Sequence, residues 1–268
     1  MFTPYHLVGI RPYPLFVAVV LGAVFFFGVF GLHYYYYSFF FIFLLFFIYI
    51  LLLWFGNVEL EGSSGYHTLV VRKGLRFGML LFIASEVMFF FGFFWSYFHN
   101  CLAPSVVLNT WPPYGCSRYV LDPFSIPLLK TVYLLSSGVR ITACHHCVLN
   151  RVKYYGMFFS WFITVFYGLL FLDFQLEEYI FTHFSINSRV YGSVFFLLTG
   201  FHGFHVIVGL IFLFYWFLRF KFLVEFSSDQ HVSFEITAWY WHFVDVVWLF
   251  LFVFVYWYAS ISPEIVIR

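Results

Sequence analysis

The sequence predicts an all-α, polytopic membrane protein with seven transmembrane helices. Its 268 residues are 63% hydrophobic and only 9% charged, more apolar surface than one soluble core can withdraw from water. The apolar residues come in long runs, not in the short alternating segments of an outer-membrane barrel, and a helix satisfies its own backbone polar groups within each run. A helix crossing about 30 Å of hydrocarbon needs roughly 20 residues at 1.5 Å each. Seven stretches approach or exceed that length: 14–33, 39–55, 77–98, 126–149, 155–176, 191–218 and 234–258.

Spans one and two are separated only by the Tyr-rich stretch 34–38, whose amphipathic rings suit the headgroup level and leave room for a tight hairpin. Between spans two and three, residues 56–74 mix Gly, Ser, Asn and charge, and the chain is expected to part here into a two-helix and a five-helix unit. The resulting organisation is 1–58 for the first two helices, 59–74 for the linker, 75–260 for the five-helix bundle and 261–268 for a C-terminal tail. Residues 103–127 carry Trp111-Pro112-Pro113, Gly115 and Asp122-Pro123, which oppose helix continuation and place this stretch at the membrane surface. Loop lengths and the positions of Gly and Pro differ between the two halves, so no transporter-like repeat emerges.

A formal net charge of +1 provides no field for nucleic acid. Cys101, Cys116, Cys144 and Cys147 give neither a secreted disulfide framework nor a paired zinc ribbon. No cleavable leader is evident, so the mature chain is expected to start at Met1. The heavy use of Phe and Tyr hints at a T-rich coding strand and organelle coding. With seven spans, one side receives Arg11, Arg72, Lys73, Arg76, Arg151, Lys153, Arg219 and Lys221, and the other Arg118, Lys130, Arg189 and Arg268. The amino terminus is therefore expected inside.

Among residues able to carry chemistry, Glu86 lies about nine residues into the third span, roughly 14 Å deep at helical rise. An ionised carboxylate there is costly, so Glu86 is either protonated or turned to a polar interior, as an interhelix hydrogen-bonding acid or as a proton-handling group. His202 and His205 share a face of span six, and His242 and Asp245 a face of span seven. Such a set suits a metal or haem, or bonds between helices. Cys144-His145-His146-Cys147 has CxxC spacing without the histidine that covalent haem attachment needs, and its thiols are expected to pack. Asp173, Glu177 and Glu178 read as a solvated helix end, with a divalent-ion site as the alternative. Trp239-Tyr240-Trp241 and Trp257 are placed as interfacial aromatics. His67, Arg72, Lys73, Arg76, Arg219 and Lys221 fall at the headgroup level, either binding lipid phosphate or serving topology alone.

These residues assemble into a family pattern. Arg72-Lys-Gly-Leu-Arg-Phe-Gly-Met, Ser85-Glu-Val-Met-Phe-Phe-Phe-Gly-Phe-Phe-Trp95, His99 and Leu102-Ala-Pro104 are followed by Trp111-Pro-Pro113 and Pro127-Leu-Leu. Ser137-Gly-Val, His145-His146, Tyr191-Gly-Ser, Thr199-Gly-Phe-His-Gly-Phe-His205 and Trp239-Tyr-Trp-His-Phe-Val-Asp-Val-Val-Trp-Leu-Phe complete the order. From about residue 66 to 258 the chain resembles the cytochrome c oxidase subunit III family.

The resemblance implies that helices one and two lean away from helices three to seven, leaving a cleft filled with phospholipid. It implies a place beside catalytic subunit I and other complex IV subunits in the mitochondrial inner membrane, with the amino terminus at the matrix. Haem and copper then reside in partner subunits, and this chain holds no catalytic residue, no metal and no cofactor beyond structural phospholipids. Its role is to stabilise subunit I and sustain proton uptake. Glu86 matches the buried carboxylate that reacts with carbodiimides, and Trp54, His67, Trp95, His99, Arg219 and Lys221 match lipid positions. After Trp54 the family usually has Arg-Asp and then Arg-Glu, whereas Phe55-Gly-Asn-Val-Glu-Leu-Glu61 follows here, so the cleft acid is Glu59 or Glu61. Ala143 replaces a common Trp before the His pair. His145, His146, His202, His205, His242 and Asp245 are expected to form an interhelix polar network.

A stand-alone redox enzyme would need these histidines as ligands. A transporter would need them as a polar path. The resemblance favours neither.

Overall fold

A computed structural model describes residues 5–103, 111–113, 120–150, 154–222 and 231–265. Among the described residues the regular elements are all helical. They are α1 (Tyr13–Tyr34), α2 (Ser38–Ser63), α3 (Leu69–Leu102), α4 (Ile126–Leu149), α5 (Tyr154–Phe181), α6 (Arg189–Phe222) and α7 (Val232–Leu251). The last continues through a π-helical turn, Phe252–Trp257, into the short α8 (Tyr258–Ile265). Proline opens α1 and α4 in the first turn, where its missing N–H costs nothing. Tyr35 closes α1 with φ of 56°, and three residues suffice to reverse the chain into α2, as the Tyr-rich hairpin predicts.

Six helices are long and apolar enough to cross a membrane by length and composition, the last one counted through Ile261. The helix outside that set is α4. It carries Lys130 and Arg140; Lys130, Thr131 and Ser137 are buried against protein, whereas Arg140 is exposed.

The chain divides into two compact units, 1–77 and 78–268. In the first, α1 and α2 form an antiparallel pair in which Phe27 stacks on Phe43 with ring centroids 4.9 Å apart. At the far end of the pair Asn57 Nδ2 donates to Tyr13 Oη at 2.7 Å. Helix α2 continues to Ser63 and α3 begins at Leu69, so only 64–68 of the expected linker 59–74 lie outside helices. Gly56 and Gly62 lie within α2, whose last turn meets the segment preceding α1 through Glu61 with Arg11 and His6.

In the second unit α4 packs on α5 and α7, and α6 on α5 and α7. The apolar windows of α6 and of the last helix are 44% buried, against 6% in α3, so both are far more enclosed than α3. Trp241 of α7 explains how the helices approach. A Cβ added to Gly168 of α5 or to Gly209 of α6 would lie 2.8 Å from its indole ring. The two glycines thus clasp the ring from two helices, while its Nε1 donates to Ser137 Oγ of α4 at 2.8 Å. Lipid tails are as apolar as side chains, so close packing and interhelix hydrogen bonds of this kind drive association.

This geometry corrects the interfacial reading of the aromatics on the last span. Tyr240 and Trp241 are core residues, and only Trp257 keeps substantial exposure. Two charges are corrected as well. Lys130, counted among the cations of one membrane side, is 0% exposed, and Glu178, placed at a solvated helix end, is 3% exposed. Each removes the other from water.

Candidate functional site

The intramembrane carboxylate is held between α3 and α6. Glu86 Oε2 lies 2.9 Å from His205 Nε2, and His205 Nδ1 lies 2.6 Å from the Phe201 carbonyl one turn earlier. A carbonyl only accepts, so Nδ1 carries a hydrogen. Nε2 of a neutral ring is then a lone pair, and its contact with a carboxylate oxygen requires a proton between them. The pair holds that proton either as Glu86–OH donating to imidazole or as carboxylate accepting from imidazolium. Both forms are neutral overall, which removes the cost of an isolated charge in hydrocarbon. Phe90 and Phe243 pack on the imidazole and keep the pair dry on one side, while the Glu86 side chain keeps 22% exposure on the other.

His202, one turn from His205, is buried and engages the Val244 carbonyl of α7 through Nε2 at 3.1 Å. Its ring lies against Phe171 and Trp248. On α7, His242 Nδ1 lies 3.7 Å from Asp245 Oδ2, and His242 Nε2 lies 3.3 Å from Thr142 Oγ1 of α4. His145 of α4 faces the start of α7, with its ring centroid 5.4 Å from that of His231. His146 is exposed. The expected polar network is thus four local contacts: Glu86 with His205, His202 with a backbone carbonyl, His242 with Asp245 and Thr142, and His145 with His231.

A larger polar cluster joins α4, α5 and the π-helical turn. Lys130 Nζ donates to Gln175 Oε1 at 3.0 Å and to Glu178 Oε2 at 2.5 Å. Tyr256 donates to Glu178 Oε1 at 2.6 Å. The ammonium sits 4.9 Å above the Trp248 ring centroid, a cation–π contact strengthened by the absence of water. Within the same π-helical turn the Phe254 carbonyl accepts from Tyr97 Oη of α3 at 2.8 Å. Sequence reasoning did not join these residues because Lys130, the α5 pair Gln175 and Glu178, and Tyr256 come from segments 45 or more residues apart. The local signals were a lysine just inside one apolar run and an acid near the end of another, each read by itself.

The expected lipid residues fall in both units. In the first, Trp54 is half-buried on α2. Glu61 pairs with Arg11 Nη2 at 2.6 Å and lies 3.3 Å from His6 Nε2. His67 is half-buried in the turn before α3. In the second, Trp95 and His99 are exposed on α3 and line an open groove of about 610 Å³ with Phe91, Phe94, Phe250 and Phe254. Arg219 and Lys221 belong to the last turns of α6, and their side chains lie outside the described residues.

The class so defined is a polytopic helical membrane protein with a neutral acid–imidazole pair inside its bundle. The profile of cytochrome c oxidase subunit III matches residues 3–260. Cytochrome c oxidase subunit 3 of Marchantia polymorpha is 46% identical over 261 residues, covering 96% of this chain and 97% of the relative. The proteins of that name from Canis lupus and Mus musculus are 46% and 47% identical, with the same coverage. The chain belongs to the cytochrome c oxidase subunit III family, and is accordingly a subunit of an oxidase complex of the respiratory chain.

Of the histidines inside this bundle, His202 keeps one buried ring nitrogen, Nδ1, without a hydrogen-bond partner among the described residues. Both ring nitrogens of His205 are engaged, and His202 Nε2 is held by a carbonyl. The described His, Cys, Asp and Glu residues that bring three ligand atoms within 4.8 Å of one another are His145, His231 and Glu235, at the edge of the bundle.

Proposed function

We propose that this chain is a non-redox core subunit of cytochrome c oxidase that stabilises the haem- and copper-bearing subunit I and sustains proton uptake into it. The observation that carries the reading is the Glu86–His205 pair. An acid that shares one proton with an imidazole, itself anchored to a backbone carbonyl, is built to stay neutral in place and to cross-link two helices. Electron transfer from cytochrome c to oxygen then belongs to the partners.

In this reading α4 is the seventh span, its polar face turned to protein, and the amino terminus lies on the matrix side of the mitochondrial inner membrane. Burial of Lys130 supports that orientation, because it takes one cation from the opposite side of the count. Helices one and two form one arm and helices three to seven the other, with phospholipid between them. His67, Arg219 and Lys221 supply cations to headgroups and Trp54 a ring to acyl chains. Glu61, of the two candidate acids, pairs with Arg11 and so orders the segment before α1.

The test is isolation of the native complex, with haem and copper measured before and after this chain is separated. Haem and copper stay with the fraction containing subunit I, and the separated chain carries neither. Stoichiometric haem or copper on the separated chain overturns the proposal.

A further inference from the structure

At the edge of the second unit, the end of α4 meets the start of α7. His231 stands at the N-cap of α7 and Glu235 lies in its first turn, the i,i+4 spacing that puts two side chains on one helix face. His231 Nε2 and Glu235 Oε1 are 3.2 Å apart. From α4, His145 brings its ring to the same point, and one ligand atom from each of the three residues lies within 4.8 Å of the others. His231 is 7% exposed, yet among the described residues its Nδ1 has no hydrogen-bond partner, nor has Nε2 of His145, and its own Nε2 meets the Glu235 carboxylate without forming a hydrogen bond. A buried imidazole with unsatisfied nitrogens is costly, and an imidazole lone pair is a ligand for a first-row divalent cation.

We propose that His145, His231 and Glu235 form a zinc site that ties the end of α4 to the start of α7. Tetrahedral zinc, with bonds of about 2.0–2.2 Å to nitrogen and oxygen, holds its ligand atoms about 3.3–3.5 Å apart. The His231–Glu235 pair, at 3.2 Å, lies just inside that separation. His145 and Glu235 are only half-buried, so side-chain torsions close the remaining gap, and the ion enters from the surface. Three protein ligands leave a fourth position for water. Zinc does no redox chemistry, so the site is independent of electron transfer and of the proposed role of Glu86. It revises the reading of the sequence as free of metal ligands, since His231 and Glu235 flank a turn whose approach to His145 is tertiary.

The experiment uses the chain in the complex with which it purifies from its native membrane. The complex is stripped with a chelator, re-equilibrated with zinc at micromolar concentration, and washed. Metal analysis compares the wild type with His231→Gln, Glu235→Gln and the neighbouring control His146→Gln, whose side chain is exposed. Glu235→Gln keeps size and hydrogen bonding, so its complex assembles even where His231→Gln does not. The wild type and His146→Gln retain about one zinc more per chain than the two ligand variants, and anomalous scattering at the zinc edge places that zinc between α4 and α7. Equal zinc in the wild type, Glu235→Gln and His146→Gln, or no anomalous peak at this position, overturns the proposal.

Discussion

Lys130 of α4 and Glu178 of α5 form an ion pair from which water is wholly excluded, with Nζ 2.5 Å from Oε2. Desolvation of two charges is offset here by further bonds to Gln175 and Tyr256 and by three aromatic rings around the ammonium. Removing one partner leaves the other buried and uncompensated. Lys130→Met is expected to destabilise the chain by about 3–5 kcal/mol, and Lys130→Met with Glu178→Gln by clearly less. Thermal unfolding of these two variants and of Glu178→Gln in detergent measures this, and additive costs of the two single substitutions would contradict the pairing.

Glu86→Gln retains a donor for His205, because the amide N–H replaces the carboxylic proton at Nε2. Assembly and most steady-state oxygen consumption of the complex are expected to survive, while carbodiimide labelling of this subunit disappears. Near-total loss of turnover in a fully assembled Glu86→Gln complex would instead assign Glu86 to an obligatory proton path.

Trp241 should be sensitive from two sides. Gly168→Val and Gly209→Val each drive a side chain into the indole and are expected to cost about 1–3 kcal/mol or more by overpacking. Gly92→Val, where an added Cβ meets nothing within 4 Å, serves as the control and should be close to neutral. Denaturation midpoints that do not separate the control from the other two would contradict the clasp.

The groove at Trp95 and His99 is apolar along its length and open on one side. An acyl chain is expected there in a structure determined with native lipid, its density running alongside Phe91 and Phe94. Trp95→Ala should lower lipid retained through delipidation, read by phosphorus analysis against the wild-type chain. Unchanged phosphorus with an empty groove would remove Trp95 from the lipid positions.

Helix number and position were legible because each run must satisfy its own backbone in lipid, a constraint that acts locally. The tight α1–α2 turn followed for the same reason from five residues, and so did Glu86 as a residue in need of a partner. Which partner it has was not legible. His205 is 119 positions away, and nothing in the spacing of His202 and His205 says which of them turns to α3 and which to α7.

Lys130 and Glu178 show the limit most clearly. Each sits near the end of an apolar run, where a charge ordinarily meets water, and local sequence cannot distinguish a solvated end from a shared interior. Trp241 sits in an aromatic cluster that suits an interface equally well, until Gly168 and Gly209 from two other helices close around it. The sequence by itself determined that the chain is a helical membrane protein, where its helices run and which family it belongs to, because length, hydropathy and ordered motifs are properties of contiguous residues. Only the tertiary structure decided which buried polar groups meet, because in a medium as apolar as the helix surfaces, pairing depends on how those surfaces approach.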